Sequence, residues 1–328
     1  MASVLFIGGT GQISLACVEE AVRAGHKVSV FNRGRTAAEL PAGVTSIIGD
    51  MANAADYARL AAKNFDVVCQ FMAFTPEQMA ADIAAFAGHA GQYVFISTAS
   101  AYQKPPRHYV ITEKTPVENP FWDYSQKKIA AEHLLRGQSR LPWTIVRPSH
   151  TVRTKLATSL GEGDLVPERM RAGKPIIVAG DGTQLWTVTR SRDLAVPFVR
   201  LFGNAQALGE DFHITTDRGH SWNDINRAIA AKLGVEARLC HVPTDTLVRF
   251  KPDWLGPLVG DKMGSTLFDN AKIKSVVGDF ACATSLDEIL AEPFVHYEAR
   301  RKAGTLVVDA ALDALEDRIA AAQDAVGP

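Results

Sequence analysis

Cysteine is scarce in this chain of 328 residues: Cys17, Cys69, Cys240 and Cys282 stand far apart with no C-x-x-C spacing, which argues against both a zinc site and a disulfide framework. Reduced, packed thiols are the simpler reading. No apolar run approaches about 18 residues, so no membrane span is expected. Charge of one sign is not in excess either. Lys and Arg total 35 against 36 for Asp and Glu, a net charge of −1, which argues against nucleic acid as the main partner but leaves room for a local basic site. No segment repeats at a solenoid period and none is of low complexity. Met1-Ala2-Ser3 runs straight into Val4-Leu5-Phe6-Ile7 without a basic leader or a small-residue cleavage site, so a cytoplasmic protein is the expectation. At roughly 150 residues per domain, the length predicts about two domains, or one large α/β domain with an extension.

The first half alternates short apolar runs with longer amphipathic stretches, the pattern of βαβ units and a parallel sheet. Strands are expected at 3–7, 27–31, 44–48, 66–71, 92–96 and 142–146, with helices near 11–24, 54–63, 76–90 and 122–136 between them. Such a doubly wound sheet binds ligands outside the carboxyl ends of its strands. Beyond Pro148 the rhythm loosens through Gly161-Glu162-Gly163, an apolar strand at 176–178 and Gly180-Asp181-Gly182, before a helix from about 191 and a strand Asp211 to Ile214. Ser221 with Asp224 reads as a capping-box variant opening a helix through Leu233. The tail 308–323 carries Ala311, Leu312, Leu315 and Ile319 on one helical face against Asp313, Glu316 and Asp317, an amphipathic helix for the body or for a second copy in a homodimer. We therefore expect residues 1–148 and a returning segment at about 181–218 to form a dinucleotide-binding domain, and 149–180 with 219–328 to form a smaller substrate lobe.

Strand 3–7 leads into Gly8-Gly9-Thr10-Gly11-Gln12-Ile13-Ser14 and then a helix. Gly8 allows the tight turn, and Gly11 lets a pyrophosphate approach the backbone at the positive helix end. Ser14, in place of a third glycine, is small enough for close packing. The second strand ends Asn32-Arg33-Gly34-Arg35, where an NAD-specific site would place an acid on the ribose 2′-hydroxyl. Arg33 and Arg35 would instead grip a 2′-phosphate, so NADP is preferred to NAD; solvated loop arginines are the alternative. Asp50 is placed to receive the adenine amino group, with Met51 beside it, and Ala73 is small enough for the cofactor to lie over the sheet.

Tyr124 and Lys128 stand four apart on one helical face. A phenol is too weak an acid to act as a base at neutral pH unless cations nearby favour the phenolate, and a lysine ammonium with a nicotinamide cation would do so. Thr98, at the end of strand 92–96, is placed to share a substrate hydrogen bond with Tyr124.

Gly8-x-x-Gly11-x-x-Ser14, Ser97-Thr98-x-x-x-Tyr102, Tyr124-x-x-x-Lys128, Arg147-Pro148 and Gly180-Asp181-Gly182-Thr183 leading to Asp193-Leu194-Ala195 resemble the extended short-chain dehydrogenase/reductase family, which includes the NAD-dependent epimerases and dehydratases. The resemblance covers most of residues 3 to 235. It implies a Rossmann-type α/β fold with helices on both faces of the sheet, and Thr98, Tyr124 and Lys128 as the catalytic three. Tyr124 would take a hydroxyl proton while hydride passes between that carbon and nicotinamide. Gly8, Thr10, Gly11, Gln12, Ile13, Asn32, Asp50, Met51, Ala73, Ser97, Arg147 and Pro148 would border the cofactor, together with Arg33, Arg35, Tyr124 and Lys128. Asp193 would cap the helix it opens.

Departures from the pattern narrow the reaction. Ala99-Ser100 stands where the family's 4,6-dehydratases carry an Asp-Glu pair, so dehydration by that route is not expected. Trp186 replaces the arginine that clamps a nucleotide-sugar diphosphate, and His150 replaces an asparagine. Both weaken a nucleotide-sugar substrate, although Arg153, Arg190 and Arg192 would be able to grip an anion differently. His150 reads equally well as a site residue or as a packed histidine. The expectation is an NAD(P)-dependent oxidoreductase or epimerase acting on a hydroxyl or keto carbon of a sugar-like small molecule, without nucleic acid or membrane as partner and without a metal. The rivals are an idle NADP sensor or RNA-associated protein, and a reductase of an aromatic or steroid-type ketone served by Phe121, Trp122, Trp186 and Trp222.

Overall fold

Strand β1 (Ser3–Ile7) buries Val4, Leu5, Phe6 and Ile7 almost completely, the condition under which an unbroken apolar run is a parallel strand between two helix layers. This computed structural model describes residues 1–35, 38–160 and 163–325; Gly161 and Glu162 of the glycine-rich segment lie outside the described residues. Along the chain follow α1 (Ser14–Arg23), β2 (Lys27–Asn32), β3 (Thr45–Ile48), α2 (Ala54–Ala61), β4 (Phe65–Gln70), α3 (Pro76–Phe86), β5 (Ala90–Ile96) and α4 (Asp123–Arg136). Strands Trp143–Pro148 and Glu210–Ile214 complete a seven-stranded, wholly parallel sheet, in the order Glu210–Ile214, Trp143–Pro148, β5, β4, β1, β2, β3. The order reverses between β1 and β4, which opens a crevice at their carboxyl ends.

The later helices are α5 (Leu165–Arg171), α6 (Ser191–Arg200), α7 (Trp222–Leu233), α8 (Thr244–Phe250), α9 (Ala271–Val277), α10 (Leu286–Ala303) and α11 (Ala310–Asp324). One face of the sheet packs on α1 and α6 through Cys17, Val18, Leu194 and Phe198, and the other on α2, α3 and α4 through Leu60, Met79, Phe86 and Leu135. A separate cluster joins α5, α7 and α10 through Met170, Trp222, Ile229 and Leu290, with Trp186 among them. Strand Ile176–Ala179 pairs in parallel with Leu239–Val242 outside the main sheet, under α8 and α11.

Local chemistry starts these helices where the polar residues allow. Thr75 and Gln78 close a capping box around Pro76 at the first turn of α3. Ser221 accepts from the Asp224 N–H at the start of α7, and Gly234 ends it in the left-handed conformation at φ 69°.

Three expectations require correction. Arg147 is fully buried and its guanidinium is engaged on every side, by Glu132 through Nε at 2.9 Å and Nη2 at 2.5 Å, and by Asp211 at 2.5 Å and the Tyr102 hydroxyl at 3.2 Å through Nη1. Its side chain ties α4 to the strands Trp143–Pro148 and Glu210–Ile214, with four of its five N–H donors committed there. Asp193 does not cap α6: the cap position is Arg190, which Asp193 pairs with at 2.7 Å, and its carboxylate also accepts from the Ala283 N–H. Glu316 faces inward, 1% exposed, because buried Arg169 lies 3.0 Å away, while Ala311 is exposed. Among the described residues no helix is long and apolar enough to cross a membrane, and no group of three or more His, Cys, Asp or Glu is placed to hold a metal ion.

Candidate active site

The turn after β1 is built for close approach. Gly8 has φ +86° and a Cβ there would lie 2.3 Å from Met72 Cγ, while a Cβ on Gly9 would lie 2.7 Å from Val30. Only glycine satisfies both. The Gly11 N–H donates to Ser14 Oγ at 2.8 Å, so Ser14 does more than allow packing: it holds the turn closed ahead of α1. Gln12 Oε1 accepts from the Thr154 N–H at 3.0 Å and hydroxyl at 2.7 Å, and the Ser191 hydroxyl donates to the Gln12 carbonyl. A cavity of about 570 Å³ opens beside this turn, lined by Thr10, Gly11, Gln12 and, across it, Arg153, Lys155 and Lys262.

The other expected cofactor residues are arranged along the strand ends. Asn32 folds its Oδ1 onto the Gly34 N–H at 2.8 Å, which shapes the β2 loop and leaves Arg33 and Arg35 exposed without a partner among the described residues. Asp50 Oδ1 accepts from the Ala52 N–H, and Met51 packs against the β-sheet core. Ala73 is buried and its carbonyl accepts from Lys128 Nζ at 2.7 Å. Ser97 is 3% exposed and its Oγ has no partner, an orphaned hydroxyl at the end of β5. Ile13 occupies the cap position of α1, whose first turn carries no acid, so the positive helix end is unopposed. The glycine cradle, the orphaned Ser97 hydroxyl and the uncontested helix end together fit a dinucleotide.

Thr98, Tyr124 and Pro148 share a second cavity, of about 420 Å³, with Ser100, Lys104, Trp122, Ser149, His150, Trp186, Asp261 and Lys262 among its walls. His150 and Lys262 line both cavities. Thr98 Oγ1 is 2.9 Å from Ser100 Oγ, which is 2.7 Å from Ser125 Oγ, a chain of hydroxyls from the end of β5 to the first turn of α4. Tyr124 leans on Trp122 at 4.9 Å and Phe74 at 6.4 Å. Burial raises its hydroxyl pKa above the ordinary value, opposed by the hydrogen-bonding Thr98 and reinforced by the Asp261 charge. The Lys128 ammonium is buried, held by the carbonyls of Ala73 and Ile96, and lowered to about 7 by desolvation. Burial thus acts in opposite directions at the two groups, raising the phenol and lowering the ammonium.

Lys104, Asp261 and Lys262 were not anticipated. Lys104 is 4% exposed, and its Nζ donates to the Asp261 carbonyl at 3.2 Å, with burial lowering its pKa. Asp261 and Lys262 close the segment Leu255–Lys262, which carries no motif in the sequence. Of the arginines considered for anion binding, Arg190 is paired with Asp193 and Arg192 with Glu292, while Arg153 keeps a buried Nε without a partner.

Residues 8–165 match the family described as NAD(P)H-binding. That match spans just under half of the chain, and the fold is shared with solved short-chain dehydrogenase/reductase and epimerase structures. Its relatives include 2′-dehydrokanamycin reductase of Streptomyces kanamyceticus, 26% identical over 74% of this chain and 70% of that protein. Another is the chloroplast stem-loop binding protein of 41 kDa b of Arabidopsis thaliana, 26% identical over 73% of this chain and 65% of that one. Among solved structures, UDP-glucuronic acid 4-epimerase from Bacillus cereus, in complex with UDP-glucuronic acid and NAD, superposes with a TM-score of 0.72 at 18% identity, over 90% of this chain and 99% of that one, a likeness of fold.

Proposed function

We propose that this NAD(P)H-binding protein is an oxidoreductase or epimerase acting on a hydroxyl or keto carbon of a sugar-like substrate, with NADP preferred to NAD. The observation that carries the reading is the cavity in which Thr98 and Tyr124 face the same space as His150 and Trp186, joined through His150 and Lys262 to the cavity beside the glycine turn. The glycine turn, Ser97, Ala73 and Lys128 would hold the cofactor, which when bound supplies the hydride donor or acceptor. Arg33 and Arg35, exposed and unopposed by an acid, would meet a 2′-phosphate.

Tyr124 exchanges the proton of the reacting hydroxyl, and Thr98 shares that hydrogen bond. The contacts from Thr98 through Ser100 to Ser125 hold the Thr98 hydroxyl in place. Trp122 and Phe74 pack against the Tyr124 ring and hold it beside Thr98. Ala99-Ser100 provides no carboxylate for elimination, which leaves hydride transfer without dehydration.

The test is a panel of UDP-glucose, UDP-glucuronic acid, 2′-dehydrokanamycin and a neutral methyl ketoglucoside, assayed with NADPH and NADH by reduced-cofactor absorbance and product analysis. Turnover of at least one member that disappears in Tyr124→Phe supports the reading. No turnover across the panel, with cofactor binding intact, favours an idle cofactor-binding protein.

A further inference from the structure

His150 stands where the two cavities meet, on the short strand His150–Val152. Its Nδ1 lies 3.1 Å from the indole Nε1 of Trp186. An indole N–H can only donate, so Nδ1 must be the acceptor, and a neutral imidazole with a bare Nδ1 carries its proton on Nε2. Trp186 is itself fixed. It is 4% exposed, its ring stacks on that of Trp222 at 5.7 Å and 26°, and its strand Leu185–Trp186 pairs with His220–Ser221. The imidazole rests against Trp222 as well, at 6.3 Å.

No other hydrogen bond among the described residues engages this imidazole, so Nε2–H is its remaining polar group in the cavities it lines. Charged groups surround it. Lys262 lines both cavities, Lys104 and Asp261 lie in one, and Arg153 and Lys155 in the other. Burial and the Lys262 charge hold His150 down at about 3, far below the range in which an imidazole ordinarily charges. A neutral, fixed N–H donor between a cavity with a reactive hydroxyl pair and one with basic walls selects for what it faces: an oxygen acceptor is oriented, and an ammonium is rejected.

We propose that Trp186 locks His150 as the Nε2–H tautomer, and that this N–H orients an oxygen acceptor, a sugar hydroxyl or carbonyl, in the cavity beside Thr98 and Tyr124. This rests on the reading that the cavity takes the substrate. His150 is then a specificity-determining contact, and Trp186 a positioning residue acting through it. The two positions that depart from the family pattern are one hydrogen-bonded unit.

The first measurement needs no substrate. In protein loaded with NADP⁺ and labelled with ¹⁵N-histidine, the His150 ring should show a proton on Nε2 and none on Nδ1, unchanged between about pH 5.5 and 8. In Trp186→Phe, which keeps a ring against Trp222 and loses the N–H, the same resonance should become a mixture of tautomers. An Nδ1–H form or an imidazolium in the parent protein overturns the lock. The second uses methyl ketoglucoside: adding it should displace the Nε2–H resonance, and an unmoved resonance overturns the donor role whether or not turnover occurs. Where the probe turns over, His150→Ala should raise KM about ten-fold, worth about 1.4 kcal/mol, with kcat much less changed, and His150→Asn, which keeps a donor, should recover most of it. An unchanged KM in His150→Ala also overturns the donor role. A parent that binds the probe, shifts the resonance and does no chemistry would leave this inference standing and remove the proposed activity.

Discussion

Replacing Arg147 by methionine would remove a charge from the interior while keeping much of the side chain's volume, and the partners left behind set the cost. Asp211 would keep Arg136 at 3.1 Å and Lys272 at 3.5 Å. Glu132, 1% exposed, would keep only Arg136 at 3.9 Å among the described residues, so its carboxylate would be left buried and nearly uncompensated. Breaking such a pair from one side costs about 3–5 kcal/mol, while replacing both partners by apolar groups is often neutral. The expected result is an unfolding free energy, from urea titration, lowered by that amount in Arg147→Met, a fall of roughly 5–10 °C in thermal midpoint for a chain of this size, and recovery of most of the loss in the double variant with Glu132→Leu. NADPH affinity, measured by fluorescence under conditions where both variants are folded, should stay within about two-fold of the parent. The reasoning is refuted if Arg147→Met melts with the parent and has lost NADPH, because the guanidinium would then be a cofactor ligand.

Tyr124→Phe removes a hydroxyl and keeps the ring against Trp122, so turnover of any active panel member should fall by roughly 10²–10⁴-fold with cofactor affinity retained; an unimpaired variant removes Tyr124 from the mechanism. Arg33→Ala should weaken NADPH about ten-fold or more and leave NADH nearly unchanged, since a charge-assisted contact contributes about 1.5–3 kcal/mol; equal affinities of the parent for both cofactors would sink the NADP preference. Lys128, lowered to about 7 from the usual 10.5, binds fewer protons folded than unfolded between those values, so its contribution to stability grows as pH rises across that window and is lost as pH falls through about 7. Unfolding free energies of Lys128→Met from urea titrations should therefore lack a slope of up to about 1.4 kcal/mol per pH unit that the parent shows there, and parallel curves for the two would contradict the burial argument.

The parallel sheet was legible because its signals are local. Val4 to Ile7 and the glycines after them state strand and turn within a dozen residues, and Thr75-Pro76 with Gln78 announces α3 in four. Thr98 and Tyr124 come from separate segments, yet the topology brings both to one cavity, since each follows the carboxyl end of β5. What escaped was decided by partners distant in sequence. Arg147 has the look of a motif residue, but Asp211 lies 64 positions on and Glu132 is on a helix across the strand. Glu316 scores as polar on a helical wheel, and only Arg169, more than a hundred residues earlier, turns it inward. Lys104, Asp261 and Lys262 form no motif; 157 residues separate Lys104 from the carbonyl it meets.

The grip of Arg169 on the last helix has a consequence for where this protein tolerates being cut. Its guanidinium, 1% exposed, reaches Asp313 at 2.5 Å, Glu316 at 3.0 Å and Asp317 at 2.9 Å, three carboxylates from α11 alone, with the Pro175 and Asp313 carbonyls as further acceptors. A stop codon placed before Ala310 would do more than uncover Leu312 and Ile319: it would strand a cation inside the lobe. A cost of about 3–5 kcal/mol for that charge alone makes the final turns of the chain an internal counter-ion carried on a helix. A fusion joined after Asp324 should leave the melting curve untouched, and a truncation fifteen residues shorter should melt well below the parent.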